Sequence, residues 1–406
     1  MYLSYTMSLL KYGILTTKRG FLVSVLLFFI FQTSYFVFSS LVPMYIIPSS
    51  DYLLFMQASF HFVIAITILV SSFFVDRINN WVLIYTSSIA TILMTVLLLF
   101  APNDVFKIAI LFVVGIFFSI GLLGFFAYFW RSTVPEERGR ISGLIGFVAL
   151  PINFIVSHFV APSLDFLGTM MLSIIVSLGI LVIVLLKPKK AVLAAKNGEG
   201  NYPEKRTVLL YSIPWILFSL INVTLAKNSS VWITQQVSSS YYLFLLGLQF
   251  VGVVFGCVFG GIITDFFGRR LSLAFSLTFY GTGAALVGLF TSNEVLSFVY
   301  VINGLSWGIL FALYTFVVWG DLANRDNCAK MYSIGLTTYY LTIGIGLLTP
   351  IFIPIVISSL ATCLLIFLLN IPIVLAPELL SPYFRERMKI RLHMNAVKKI
   401  SQQSKN

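Results

Sequence analysis

Charge is scarce in this chain: Asp, Glu, Lys and Arg make up 10% of the 406 residues, where soluble domains carry about a quarter. That deficit excludes a soluble globular protein, and the 59% hydrophobic content points to a lipid bilayer as solvent. Cysteine is equally sparse. Cys257, Cys328 and Cys363 show neither an even pairing nor metal-ligand spacing, so no disulfide framework and no metal site are expected. A phosphate-cradling loop, a dinucleotide fingerprint and an intramembrane nucleophile beside a base are all missing. The chain is therefore not expected to be an enzyme or to need a cofactor.

What is present is a series of apolar runs, continuous over about 20 residues, which read as helices and not as barrel strands alternating over about 10. The first six spans are placed at Gly20–Val42, Tyr52–Phe74, Trp81–Phe100, Val105–Trp130, Ile141–Val160 and Leu167–Leu186. The second six are placed at Thr207–Trp232, Tyr242–Ile263, Leu271–Phe290, Val295–Trp319, Met331–Phe352 and Val356–Ala376. A polar linker at 187–206 separates the sets, after a head at 1–19 and before a basic tail at 377–406. The first run follows Lys18-Arg19 and is too long for a signal peptide, so it is expected to be retained.

All but two of the 26 Lys and Arg, Lys107 and Lys227, fall on the face that holds both ends of the chain. The positive-inside rule makes that face cytoplasmic, with the plasma membrane as the expected location. It also explains the net charge of +12 without a nucleic-acid partner.

A tight knot of charge between apolar runs lies in Gly260-Gly261-Ile262-Ile263-Thr264-Asp265-Phe266-Phe267-Gly268-Arg269-Arg270, between the eighth and ninth spans. A weaker copy, Ser72-Phe73-Phe74-Val75-Asp76-Arg77-Ile78-Asn79-Asn80, lies between the second and third. Asp76 and Asp265 stand 189 residues apart, and so do Trp130 and Trp319. One offset shared by two features indicates an internal duplication. Mixed-charge loops follow both tryptophans, Arg131 to Arg140 with Glu136 and Arg138, and Gly320 to Lys330. Carboxylates and guanidinium groups brought together there would pair only while that face is shut. The competing reading is a set of solvated loops whose individual pairs contribute about 0–1 kcal/mol.

These residues resemble the major facilitator superfamily. Its loop between helices 2 and 3 reads Gly-x-x-x-Asp-Arg-x-Gly-Arg-Arg, matched here by Gly261, Asp265, Gly268, Arg269 and Arg270, with Phe266 in place of the first basic residue. In the first half only Asp76 and Arg77 remain. Pro135-Glu136-Glu137-Arg138-Gly139 matches the family's sequence after helix 4. The resemblance implies an all-α membrane protein of twelve transmembrane helices in two six-helix pseudo-repeats, rocking about a site at mid-depth. It also implies that Asp76 holds the start of helix 11 near Met331, and Asp265 the start of helix 5 near Ile141.

In that family helices 1, 4, 7 and 10 line the cavity, helped by 2, 5, 8 and 11. Gln32 and Asn153 lie about 18 Å deep, Asn222 about 22 Å, and Trp307 about 18 Å from the opposite end. Tyr35 and Tyr339 add aromatic walls with hydroxyl handles. Such a set suits a neutral hydroxyl-bearing or amphipathic solute, although each polar group could equally bond a neighbouring helix. His61 is a candidate proton carrier and Lys227 a candidate anion attractor, with packing and snorkelling as their plainer roles.

The middle thirds of the spans hold no Asp or Glu, the usual proton sites of coupled transporters. The expected function is a secondary transporter, symporter or uniporter, of a small organic solute such as a sugar, polyol, organic acid or amphipathic compound. Its partners are that substrate, a coupled proton as an option, and lipid, with a monomer sufficient. The alternative is a receptor or scaffold that kept the fold and lost transport.

Overall fold

The computed structural model describes residues 16, 18–47, 50–160, 163–185, 204–290, 292–349, 355–380, 386 and 390. Among them there is no strand. The helices are α1 Lys18–Ile46, α2 Ser50–Ser71, α3 Asn80–Leu99, α4 Asp104–Ser132, α5 Pro135–Ile155 and α6 Phe166–Leu185. They are followed by α7 Lys205–Gln236, α8 Ser239–Phe267, α9 Arg269–Leu289, α10 Asn293–Leu322, α11 Cys328–Leu348 and α12 Ile355–Leu368, the last with a short extension at Asn370–Leu375. Eleven described helices are long and apolar enough to cross a membrane. The remaining one, α5, falls short because it opens on Pro-Glu-Glu-Arg-Gly-Arg.

That opening corrects a sequence expectation. The stretch from Arg131 to Arg140 reads in the sequence as a loop whose charges pair across the halves, before a fifth span at Ile141, yet only Thr133 and Val134 lie between α4 and α5, and α5 begins at Pro135. Proline at the first helical position loses no hydrogen bond, and Glu136 and Glu137 meet the positive end of the helix. Glu136, Glu137, Arg138 and Arg140 are all buried. A hydropathy criterion stops at such residues because it does not know that partners will cover them.

Outward faces carry exposed apolar side chains such as Phe55, Ile66, Phe106, Ile175, Phe298 and Leu364. In lipid these need no partner, so close helix contact depends on small residues and polar bonds. Two such seams join the first six helices to the last six: α5 packs on α8, and α2 on α11. In the first, a Cβ added at Gly143 would strike the Cys257 carbonyl, and one at Gly261 would strike the Gly139 carbonyl. The backbones themselves meet there, with no room for a side chain.

Between the seams an aromatic plug crosses from one half to the other. Phe316 of α10 stacks edge-on against Phe28 of α1 at 5.1 Å and Phe129 of α4 at 5.0 Å. Phe126 of α4 lies flat on Tyr332 of α11 at 5.0 Å. The plug is buried.

Candidate functional site

The face carrying the basic loops is closed by a buried ion network centred on Asp265. At the end of α8 its side chain is 0% exposed and accepts the N–H groups of Gly139 at 3.0 Å and Arg140 at 2.9 Å, at the start of α5. Gly139 and Arg140 are the fifth and sixth residues of α5, so the carboxylate sits against its second turn, where the positive end of the helix dipole still favours an anion. It also pairs with Arg140 Nε at 3.1 Å and Arg269 Nη1 at 3.0 Å. Arg140 lies over the Phe266 ring at 5.9 Å, so the residue that departs from the motif still faces a cation.

Arg269 extends the network. Its Nε reaches Asp321 of α10 at 2.7 Å, and its Nη1 also donates to the Thr264 carbonyl at 2.8 Å. Its Nη2 donates to the Pro135 carbonyl in the first half. Arg138 of α5 pairs with the other oxygen of Asp321, and Trp130 Nε1 donates to the Gly320 carbonyl at 2.8 Å. Tryptophan 130 thus touches the residue that follows its repeat mate, Trp319. Thr16, ahead of α1, donates from its N–H and hydroxyl to Glu137.

Glu378, which the sequence did not single out, completes this face. Its carboxylate accepts the N–H groups of Arg269 at 2.7 Å and Arg270 at 3.2 Å, capping α9. Gly268 makes this geometry available, because its φ of 106° favours glycine and an added Cβ would lie 2.5 Å from Glu378 Oε2. The Arg270 side chain is exposed and reaches the Val374 carbonyl at 3.3 Å. The Pro-Glu pair after the last helix was a readable signal for a helix cap, but its target, over a hundred residues back, was not readable.

The Asp76 copy is weaker. Both its oxygens lie 3.0 Å from Ala329 N at the start of α11, two residues before the expected Met331. Arg131 is half-buried beside it and Arg77 is exposed. Burial pushes the Asp76 carboxyl up from its ordinary value of 3.8, against the opposing pull of the Ala329 N–H, Arg131 and Lys330. A raised carboxyl value means that the neutral form suits the closed contact better than the ion does. The contact therefore weakens as pH rises from the ordinary value through the raised one.

Asparagine keeps an acceptor for Ala329 and sheds the desolvation cost. Asp76→Asn is expected to keep activity within about twofold and to remove the weakening that sets in as pH rises above the ordinary carboxyl value, read from vesicle uptake across a pH series.

At mid-depth, Gln32, Tyr35, Asn153, Asn222, Trp307 and Tyr339 are all half-buried. The structure brings them into three groups. Asn222 Oδ1 accepts Trp307 Nε1 at 3.2 Å and also the hydroxyl of Tyr280 from α9. Two donors on one oxygen fix the amide, so its NH2 points away from them. Tyr280 was missed because α9 carries no expected cavity role. Asn153 meets Thr33, the neighbour of Gln32, at 3.3 Å. Tyr35 bonds His61 and packs edge-on against Tyr340 at 5.3 Å, with Tyr339 beside it. The Lys227 side chain and most of the expected linker at 187–206 lie outside the described residues.

A family model described as Sugar (and other) transporter matches residues 206–375. The fold matches the human organic anion transporter MFSD10 with a TM-score of 0.68 at 12% identity, over 88% of this chain and 98% of that one. It matches the E. coli fucose:proton symporter FucP with 0.68 at 12%, over 89% and 99%, and the proton:xylose symporter XylE with 0.65 at 14%, over 89% and 96%.

The chain has the fold of the major facilitator transporters.

No curated relative matches it. The matched family and these solved structures are transporters, not enzymes. The stretch matched by the family model contains the Asp265 loop and excludes the Asp76 copy, which agrees with the unequal burial of the two carboxylates.

Proposed function

We propose that the chain is a secondary transporter that carries a small neutral, hydroxyl-bearing solute between the two sides of the membrane by alternating access. The observation that supports this most is the stacking of layers along the bundle. A buried ion network ties the halves together at one face, an aromatic plug lies beneath it, and half-buried amide and aromatic side chains lie beyond the plug. Opening the first two layers would expose the third. By the positive-inside rule the closed face is cytoplasmic, and Asp76, Arg77, Arg131, Glu136, Arg138, Arg140, Gly261, Asp265, Gly268, Arg269 and Arg270 form its gate.

Neutrality follows from chemistry: the groups at mid-depth are amides, an indole and phenols, and an uncompensated charge there would be costly. The match of residues 206–375 to the Sugar (and other) transporter model supports a sugar or polyol.

Counterflow into proteoliposomes, with labelled L-fucose, D-xylose, a polyol and an aromatic organic anion offered in turn, tests the reading. Flux of a neutral solute is expected, with Trp307→Ala raising its KM about ten- to hundredfold through loss of one hydrogen bond and a stacking surface. Flux of the anion alone, or of none, contradicts it.

A further inference from the structure

His61 stands midway along α2, 4% exposed, with both ring nitrogens engaged. Nδ1 lies 2.6 Å from the Gln57 carbonyl and Nε2 lies 2.7 Å from the Tyr35 hydroxyl. A carbonyl can only accept, so the ring proton of neutral His61 sits on Nδ1. Nε2 is then the acceptor, and Tyr35 must donate to it. The pair is held in one tautomer and one hydroxyl orientation.

The groups facing the ring are few. Tyr35 comes from α1, and Tyr340 from α11 at 6.5 Å between ring centres with Tyr339 beside it, while Phe118 of α4 packs on both Tyr35 and Tyr340. No charged side chain among the described residues acts on His61. Ser39, four residues beyond Tyr35 in a π-helical turn at Val37–Leu41, is a buried hydroxyl near that of Tyr35, with its own oxygen 3.4 Å from the Ser40 hydroxyl.

We propose that His61 and Tyr35 form a proton-binding site that reports its occupancy to the contact between the two halves. The proposal rests on the transport reading above and supplies the coupling ion that the missing carboxylates leave unassigned. A proton arriving from water forms a bond with the Nε2 lone pair, and the ring becomes a cation with two donors. The Tyr35 O–H···Nε2 bond is replaced by Nε2–H···O. The phenolic proton stays on its oxygen and turns towards Ser39. Loss of the proton reverses each step, so charge and atoms balance without a further reactant.

Tyr35 is the link to the other half, because its ring packs edge-on against Tyr340 of α11. His61 itself approaches the same ring. Creating a cation among these aromatic faces changes the interaction between α1, α2 and α11 at the level of the binding site.

The chain has three histidines, His61, His158 and His393, so 15N spectra of histidine-labelled protein in nanodiscs are tractable, with His61→Gln supplying the assignment. The expected result is one neutral tautomer protonated at Nδ1, titrating within about pH 5–8. Spin labels at Asp104→Cys and Glu294→Cys, exposed at the starts of α4 and α10, report the separation of the halves, and Cys257, Cys328 and Cys363 are buried. Their distance populations are expected to shift at least about threefold over the same pH range. That shift is expected to vanish in His61→Gln. In Tyr35→Phe the ring should still titrate while the distance shift is lost.

No titration of His61 in this range overturns the proposal. So does titration without a distance change, or a full distance change in Tyr35→Phe. Failure of the transport reading is separate, since it appears as absent counterflow in the wild-type protein whatever His61 does.

Discussion

Asp265→Ala is expected to abolish transport and to shift the protein away from the state closed at the basic face. The carboxylate is 0% exposed and has two roles, as acceptor for two N–H groups at the start of α5 and as counter-ion to Arg140 and Arg269. Removing it leaves two buried guanidinium groups short of a partner. Breaking a buried pair from one side costs about 3–5 kcal/mol, equivalent to a shift of roughly a hundredfold or more in a two-state equilibrium.

Asp265→Asn should lie between alanine and wild type, because it keeps the acceptor and loses the charge. The contrast with the near-neutral Asp76→Asn is large enough to survive ordinary assay error. Counterflow of a transported solute by the two asparagine variants, side by side, checks it, and equal losses would contradict the unequal roles.

Arg269→Lys is expected to be nearly as damaging, although charge is conserved. The guanidinium spreads its donors over Asp265, Asp321, the Thr264 carbonyl and the Pro135 carbonyl. An ammonium group is a single point with three donors and cannot span these acceptors. Uptake is expected to fall at least about tenfold, with Asp321 left short of a partner.

Combining Arg269→Lys with Asp265→Asn should cost much less than the two separate effects added together, since both act on one network. Additive losses in that double-mutant cycle would mean that the pair does not work as a unit.

The bundle was legible because twelve apolar runs and a one-sided charge distribution leave little freedom to a chain in lipid. The residues of the Asp265 loop were legible for a related reason: a carboxylate and two arginines between apolar spans are too costly to be incidental. Their partners were harder to read. Glu378 and Tyr280 join the network and the site through contacts distant in sequence, and no local pattern marks which helix start a carboxylate will cap.

The start of α5 was misplaced for the opposite reason. Its charges resemble a solvated loop until Asp265 and Asp321 arrive to pair with them. At mid-depth, residue type and depth suggested Asn222 and Trp307 separately, but the bond between them appears only when α7 and α10 are placed side by side.

The most direct test of the gate is the distance across the basic face. Spin labels at Arg77→Cys and Phe267→Cys, exposed in the first and second halves respectively, measure it without a known solute. Asp265→Asn is expected to move the distribution towards longer separations by at least about tenfold in population, whereas Asp76→Asn leaves it near wild type. An unchanged distribution in Asp265→Asn would contradict the claim that this carboxylate holds the two halves together.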